Sequence, residues 1–456
     1  MRKTRPDGEV QPGIKWGPFT MRIPLIHMRF SLPYMLQGLA VAGATALALV
    51  PYFQSLLGLS FEEAVMMAMI HSILISTSWM LFGDPYAPGW LTPAIPFVIA
   101  FITAPAYLGD HISQFQAMTA LSLNFAFILI FLGVTGLGAK LIKIVPNVFK
   151  GGIILGAAIA AFLRVTKDGD AANVFQSAPI AGTLGVATCL VFAFSKPLQA
   201  LAINKKWLEI ILGFGLLPGF VIAGIVGFFT GEFQYIIRWE ILDVSASATS
   251  LWAKASPFMI GWPPIEAFLA SFPLALITYV LFFGDVITGN EMIEQAQTKR
   301  TDEKLELNSS RAHMATGIRN VLMAILAPFF GTQGVLWTGI QVVFLKRWEQ
   351  GRDKLDSIFD SIGSFYVLGP LLFLLLPLVS LLEPLLPLAL AVTLVLTAFA
   401  CAALALSLVQ DSTERGAMVI TAMAFSVFEP WLGLLVGIIV IAALCGFEVF
   451  VPKEDD

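Results

Sequence analysis

Two short apolar stretches, GWLTPAIPFV at 89–98 and GVLWTGIQVV at 334–343, decide how this sequence folds. They align without gaps, with Gly, Leu, Ile and a final Val at the same positions. Each is shorter than the roughly 20 apolar residues that a helix needs to cross a bilayer. Each begins in glycine- or proline-rich sequence, GDPYAPGW at 83–90 and GTQG at 331–334. Such interrupted segments are typical of half-helices in membrane proteins, and a surface loop before a buried helix is the alternative.

The composition of the chain is that of a membrane protein. Hydrophobic residues fill 57% of the 456 positions, mean hydropathy is +0.82, and only 13% of residues are charged. Soluble domains average about 25% charged residues. Lipid must therefore be the solvent for much of the surface. The net charge of -4 is small, so no nucleic-acid partner is expected.

Further apolar stretches bring the expected number of membrane segments to about fourteen when both half-helices are counted. The predicted spans are 31–53, 64–82, 117–138, 150–164, 178–195, 208–229, 264–287, 313–329, 362–379, 385–408, 416–428 and 431–449. The half-helices are the third and tenth segments, which are seven apart. An odd number of spans inverts the second copy, so the sequence predicts an all-α polytopic membrane protein with a 7+7 inverted repeat.

Lysine and arginine occupy the connections that this count places in the cytoplasm, as the positive-inside rule requires. They are Lys140, Lys143, Lys150, Lys196, Lys205, Lys206, Lys299, Arg300, Lys304, Arg311, Lys346, Arg347, Arg352 and Lys354. The connections expected outside, such as 105–116 and 231–262, carry few basic residues. We therefore expect a multi-pass protein of the inner (plasma) membrane with both termini cytoplasmic. We expect neither a cleavable signal peptide nor a soluble C-terminal domain.

The two half-helix starts are the predicted substrate site. A helix N-terminus leaves backbone N–H groups unpaired and carries roughly half a positive charge, so two facing starts favour an anion or an electronegative ring. The residues expected there are Thr92, Pro93 and Ala94 at the first start and Gln333, Gly334, Trp337 and Thr338 at the second.

Three polar residues in apolar runs are further candidates. Asp285 ends an apolar stretch, where an ionisable group is costly and commonly functional. It is the predicted ion-coupling and substrate-binding carboxylate, and the alternative is a solvated interfacial position like that expected for Asn290 and Glu291. Gln37 would bind substrate or a neighbouring helix. His71 would relay protons or hold structure.

Motifs of enzymes and metal sites are absent from the sequence. No catalytic residue, metal or cofactor is expected, and the three cysteines lie far apart in apolar runs. The repeated FGD string, at 82–84 and 283–285, raises an intramembrane aspartyl protease as a remote alternative. That family's Gly-x-Gly-Asp pattern would place glycine at Phe282, which departs from it.

Most of the chain resembles the xanthine/uracil permease family of nucleobase–cation symporters, within the superfamily that also holds sulfate permeases and anion exchangers. The resemblance is carried by LQGLAVAGATALALVPYF (36–53), PGWLTPAIPFVIAF (88–101), KIVPNVFKGGIILGAAIA (143–160), FPLALITYVLFFGDVITGNEMI (272–293) and RNVLMAILAPFFGTQGVLWTGIQVV (319–343). The sequence departs from the family at three sites. Gly38 replaces a histidine, Leu281 falls where the family has its substrate-binding glutamate, and Gly339 falls near an acidic or amide position.

The resemblance implies a division into domains, an elevator-like alternating-access motion and a homodimer. The expected parts are an N-terminal segment (1–30), a core domain (31–138 and 264–379), a gate domain (139–230 and 380–449), an extracytoplasmic loop (231–263) and a cytoplasmic tail (450–456). The expected function is secondary active transport of a small planar or anionic, nucleobase-like solute coupled to H⁺ or Na⁺. A sulfate-permease-like carrier of inorganic or organic anions is the alternative, and a channel is a remote one.

Overall fold

The computed structural model describes residues 5–170, 172–203, 205–428 and 430–450. Regular structure is almost entirely helical, apart from an N-terminal hairpin of β1 (Ile14–Trp16) and β2 (Phe19–Met21). The prediction of a mostly helical, polytopic protein is confirmed at this level. The tail expected at 450–456 lies outside the described residues, apart from Phe450.

The first half of the chain forms short and long helices in alternation. They are α1 (Leu32–Leu47), α2 (Val50–Leu57), α3 (Phe61–Thr77), α4 (Ile95–Ile102), α5 (His111–Val134), α6 (Leu137–Ile144), α7 (Asn147–Thr166), α8 (Val174–Ser177), α9 (Pro179–Phe194), α10 (Lys196–Ile203), α11 (Lys206–Gly213), α12 (Leu217–Thr230), α13 (Val244–Ala255) and α14 (Pro257–Ile260). A π-helical turn, Ser78–Phe82, extends α3, and a 3-10 turn, Thr92–Ala94, leads into α4.

The second half contains the longest helix of the described chain. Its helices are α15 (Ile265–Gln297), α16 (Ser309–Leu326), α17 (Thr338–Trp348), α18 (Ile358–Val367), α19 (Gly369–Leu372), α20 (Leu376–Leu382), α21 (Leu386–Leu408), α22 (Ser412–Val427) and α23 (Pro430–Cys445), with 3-10 turns at Glu383–Leu385 and Phe447–Phe450.

Six helical stretches of the described residues are long and apolar enough to cross a membrane. They are Leu32–Leu57, Phe61–Phe82, His111–Val134, Asn147–Thr166, Ile265–Gln297 and Leu376–Leu408. Two bent pairs, α9 with α10 and α11 with α12, bring the number to eight if each pair is one span. The count of fourteen segments and the inverted repeat remain predictions.

The ninth expected span, 313–329, differs in character from the prediction. The helix there, α16, buries the charged side chains of Arg311 and Arg319 and the ring of His313. It is therefore too polar to count among the six apolar helices. Since α16 packs along α5, these groups are enclosed by protein rather than by lipid.

Helix packing follows two groups. In the first, α5 lies along α15 and α16, and α1 lies against α18; in the second, α7 lies along α21 and α22, and α9 lies along α12. Each of these pairs falls within one of the two expected domains. Helices of the two expected domains also touch, since α17, which lies within the expected core range, packs against α21 of the second group. The division into core and gate remains a prediction.

The N-terminal segment, from residue 5 to 29, packs against the end of α17. Arg5 lies 3.2 Å from the Glu303 carboxylate and donates to the Asp356 carbonyl at 2.8 Å. Glu303 also accepts from the indole N–H of Trp348, the last residue of α17, at 2.6 Å. Burial raises the pKa of the Glu303 carboxyl, although Arg5 and its hydrogen bonds favour the charged form. The segment is therefore a packed part of the protein.

Gly38 sets the distance between α1 and α18. A Cβ atom at this position would lie 1.8 Å from the backbone oxygen of Phe365. No side chain fits there without moving backbone, so the glycine that departs from the family pattern is explained by close helix packing.

Replacement of Gly38 by alanine should destabilise the protein by about 1–3 kcal/mol or more, because α1 and α18 must move apart. The measurement is the midpoint of thermal unfolding in detergent, followed by size-exclusion chromatography. Gly416→Ala on α22 is the matched control, because a Cβ there meets nothing within 4 Å. Equal midpoints for the two variants would show that the α1–α18 contact is not tight.

Candidate functional site

Two extended segments, 87–91 and 331–337, cross where the half-helices begin. Three backbone hydrogen bonds join them in antiparallel order: Leu91 N–H to Gly331 C=O (2.8 Å), Gly334 N–H to Gly89 C=O (2.8 Å) and Trp337 N–H to Ala87 C=O (2.7 Å). These bonds satisfy backbone groups that no helix satisfies at this point. They also hold the two helix starts in a fixed relation to each other.

Glycine is required in both segments because they approach so closely. A Cβ atom at Gly89 would lie 2.6 Å from the oxygen of Leu336, and one at Gly334 would lie 2.8 Å from the oxygen of Gly89. The Gly89 and Gly334 that match in the sequence alignment therefore share one physical role in the fold.

The first half-helix begins where the sequence predicts. Its opening turn is Thr92–Ala94, and α4 continues it to Ile102. Ala94 is buried, Thr92 is half-buried and Pro93 is exposed. No side chain caps the start of this turn among the described residues. Pro93 has no N–H, and the N–H groups of Ala94 and Ile95 donate to the carbonyls of Leu91 and Thr92, so the Thr92 N–H is the donor left for a ligand.

The second half-helix begins later than the sequence predicts. The helical residues of α17 start at Thr338, directly after Trp337, and again no described side chain caps the start. Gln333 and Gly334 lie in the extended segment instead of opening the helix. The prediction that they open it is wrong, because the Gly334 N–H is used in the pairing with Gly89.

The amide of Gln333 is occupied by protein groups at both ends. Its oxygen accepts from Arg319 at 3.4 Å, and its nitrogen donates to the carbonyl of His71 at 3.2 Å. The His71 ring itself lies 2.7 Å from the Ala327 carbonyl. The structural role weighed for His71 is thus supported, and Gln333 positions the segment rather than presenting its amide to a ligand.

Arg319 lies behind the start of α17. Its side chain is fully buried and donates to the Gly334 carbonyl at 2.9 Å and to the Thr316 hydroxyl at 3.1 Å, besides the Gln333 oxygen. The Nε atom of Arg319 has no hydrogen-bond partner within the described part of the chain. Every partner of this guanidinium is neutral.

Gln37 presents an unpaired amide to the second group of helices. Its side chain is 0% exposed, and neither its oxygen nor its nitrogen has a hydrogen-bond partner among the residues described. Gly215, between α11 and α12, lies so close that a Cβ there would be 2.5 Å from the Gln37 oxygen. A buried amide without partners costs free energy unless a ligand or water completes it.

Asp285 lies well inside α15 rather than at its end. The residue is half-buried, and its carboxylate has no hydrogen bond or ion pair in the part of the chain that the structure describes. Cys401 of α21 is its electrostatic neighbour. One turn further along α15, Gly289 abuts Tyr86 and Leu336 of the crossing segments. Asp285 thus lies on the helix face that is turned towards the crossing.

The neighbours of Asp285 are less solvated than the sequence predicts. Asn290 is buried and accepts from the Tyr86 hydroxyl at 2.5 Å, and the Glu291 carboxylate pairs with Lys150 at 2.6 Å. The expectation of a solvated interface is wrong for Asn290, which is buried, while Glu291 is half-buried and Glu294 and Gln295 further along α15 are exposed.

The carboxylate pair needed by an aspartyl protease does not form among the described residues. Asp84 is buried and accepts from Arg311 at 2.9 Å, with Arg319 and Arg22 as its further charged neighbours. Asp285 lies apart beside Cys401. The two aspartates of the repeated FGD string therefore do not share one site.

Sequence reasoning missed Arg319. The signal was present, since Arg319 interrupts the apolar run of the ninth expected span as Asp285 ends the run of the eighth. The rule that a charged residue inside a span marks a functional site applies equally to both. The hydrogen bond from Arg319 to the Gly334 carbonyl, by contrast, cannot be predicted from the sequence pattern.

The chain resembles several solved structures of transporters in its fold. The chain is similar to the murine Solute Carrier 26 family member A9 (Slc26a9) anion transporter in its inward-facing state, with TM-score 0.52 and 14% identity over 92% of this chain and 69% of that one. A second SLC26A9 structure gives TM-score 0.50 and 14% identity over 91% and 65%. The transmembrane domain of the cyanobacterium bicarbonate transporter BicA gives TM-score 0.42 and 15% identity over 89% and 97%. No protein-family model and no curated protein sequence matches the chain.

At 14% identity this likeness shows the fold alone. The resemblance to the xanthine/uracil permease family and to its superfamily stays a prediction. A multi-pass membrane protein follows from the apolar helices together with this likeness of fold.

Gly334→Ala should disrupt the crossing, because the added methyl group would contact the Gly89 oxygen and the Leu91 nitrogen. We expect a loss of about 1–3 kcal/mol of stability from overpacking. Thermal unfolding in detergent measures this loss. Gly213→Ala, where a Cβ meets nothing within 4 Å, is the control. If both variants melt together, the two segments do not pair as described.

Proposed function

We propose that this protein is a secondary active transporter of a small anion, of the sulfate-permease-like kind, and that the anion binds between the starts of the two half-helices. The observation that carries the proposal is the pair of uncapped helix starts held together by the crossing, with the buried Arg319 behind one of them. The likeness of fold to the Slc26a9 anion transporter supports it.

The electrostatics of this site favour negative charge. Each helix start contributes roughly half a positive charge. The backbone donors left there are the N–H of Thr92 at the first start and the N–H groups of Thr338 and Gly339 at the second. Oriented backbone amides in a water-poor site bind an anion without further reorganisation. Thr92, Pro93 and Ala94 supply the first start, and Trp337 and Thr338 supply the second.

A nucleobase fits this site less well than an anion. The family's base-reading carboxylate would fall at Leu281, and its acidic or amide position at Gly339. The Gln333 amide is engaged with Arg319 and His71. The expected polar groups that remain are the hydroxyls of Thr92 and Thr338, the Gln37 amide and the Asp285 carboxylate. This set suits a small anion together with a coupling cation.

Gln37 and Asp285 have different roles in this proposal. The free Gln37 nitrogen donates a hydrogen bond to the anion. Asp285 is the coupling group, because a carboxylate near an anion repels it until a proton or Na⁺ neutralises the carboxylate. A proton is the simpler choice, since the described residues around Asp285 supply no second carboxylate.

Transport itself would follow an elevator-like motion. The core domain, 31–138 with 264–379, would carry the bound anion along the gate domain, 139–230 with 380–449. The Gln37–Gly215 and α17–α21 contacts lie at the boundary and would break and re-form. We further propose a homodimer, as the family resemblance implies. The basic connections support a place in the plasma membrane with both termini cytoplasmic.

Uptake by proteoliposomes tests the proposal. The purified protein would be offered labelled chloride, bicarbonate, sulfate and uracil, with and without an inward H⁺ or Na⁺ gradient. We expect saturable uptake of at least one anion, driven above equilibrium by one gradient, and none of uracil. Protein-free liposomes are the control. Uptake of uracil alone, or of no anion under any gradient, would exclude an anion carrier.

Asp285→Asn should retain anion binding but lose dependence on the driving ion, because the amide cannot take up the coupling cation. Initial rates would be compared between external pH of about 5.5 and 7.5, which bracket the range of ordinary proton coupling. Glu383→Gln, at an exposed 3-10 turn, is the matched control and should keep the wild-type pH profile. A wild-type profile in Asp285→Asn would remove Asp285 from the coupling role.

A further inference from the structure

Arg319 carries a positive charge that forms no ion pair of its own among the described residues, although Asp84 is an electrostatic neighbour. Its three partners are a hydroxyl, an amide oxygen and a backbone carbonyl. Among the described residues, no acidic group lies within 4.0 Å of its guanidinium, and its Nε atom has no partner. An isolated buried charge is costly, so proteins usually pair it or use it.

The nearest buried acid is already engaged with another arginine. Asp84 is buried and forms an ion pair with Arg311 at 2.9 Å. Arg311 has a second, weaker contact with Glu306 at 3.4 Å, and the Glu306 side chain is 41% exposed. Arg22 and Arg319 are further charged neighbours of Asp84, so the buried cluster of one aspartate and three arginines keeps a net positive charge.

The charge of Arg319 lies next to the proposed site. Its guanidinium bonds Gly334 and Gln333, in the extended segment that ends at the start of α17. Asn320, the next residue, donates to the Gln333 carbonyl and fixes the same segment from the adjacent position. The charge of Arg319 and the dipole of α17 therefore act from the same side.

We infer that Arg319 is the residue that makes the half-helix site selective for anions, because it places part of the cluster's net positive charge behind the start of α17. The inference rests on the proposed function. Arg319 acts through the segment it binds, so it is a positioning and electrostatic residue rather than a direct ligand. Its charge would be balanced when the anion binds, and a neutral solute would leave it unbalanced.

Two substitutions separate the effect of the Arg319 charge from the effect of its hydrogen-bond geometry. Arg319→Lys keeps the charge but loses the directed bonds of the guanidinium fork, whereas Arg319→Gln loses the charge. We expect the KM of the transported anion to stay within about three-fold in Arg319→Lys and to rise about ten-fold or more in Arg319→Gln. Arg415→Gln, at an exposed position of α22, is the control for loss of an arginine and should leave KM unchanged.

The valence of the anion provides a second test. If Arg319 had a purely structural role, its loss would not change the relative affinities for divalent and monovalent anions. Coulomb attraction scales with the charge of the ion, so loss of Arg319 should weaken competition by sulfate more than competition by chloride. We expect the ratio of the inhibition constants, sulfate over chloride, to rise by about three-fold or more in Arg319→Gln and to stay near the wild-type ratio in Arg319→Lys.

The outcomes distinguish this inference from the proposed function. If Arg319→Gln does not fold, Arg319→Lys decides alone, because a structural role predicts loss of affinity there and an electrostatic role does not. An unchanged KM and an unchanged valence ratio in Arg319→Gln would overturn the inference while leaving anion transport in place. Wild-type uptake of uracil but of no anion would overturn the proposed function itself.

Discussion

The antiparallel pairing of two extended segments is the constraint on which the site depends. Helices that stop inside a membrane protein leave backbone N–H and C=O groups that lipid cannot satisfy. Here each interrupted segment satisfies the other through three backbone bonds, and glycines at 89 and 334 allow them to come close enough. This crossing fixes the positions of the two helix starts. It also fixes the positions of the buried Arg319 and of Gln333, which hold the second start.

Much of the architecture could be predicted from sequence because the bilayer restricts it. Long apolar runs mark helices such as α5 and α15, and the two short runs mark the half-helices. The start of α17 could not be placed, because pairing between distant segments, not local composition, decides that Gln333 and Gly334 stay extended. α16 was read as an apolar span because burial inside protein, which makes its arginines tolerable, has no local signature.

The location of the candidate site remains a prediction, and the structure bears on the partners of its polar residues. Gln37 and Asp285 stand out in the sequence because polar groups in apolar runs are costly. Within the described part of the chain neither side chain has a hydrogen-bond partner, so a ligand or ion would complete it. Gln333 was assigned to substrate on the same ground, yet its partners come from α16 and from His71. Sequence identifies which groups are costly to bury; only the fold reveals which of them the protein already satisfies.

The packed N-terminal segment has a consequence for biogenesis. Arg5 bonds a carbonyl that lies 351 residues further along the chain. A ribosome that adds roughly 5–20 residues per second needs about 20–70 s to make that partner. During this interval the hairpin can already pack on the turn Ser78–Phe82, whereas Arg5 has no Asp356 to bind. The docking of Arg5 is therefore a late step of assembly. Quality control that samples this end of the chain would therefore report on whether the far half has been inserted and folded.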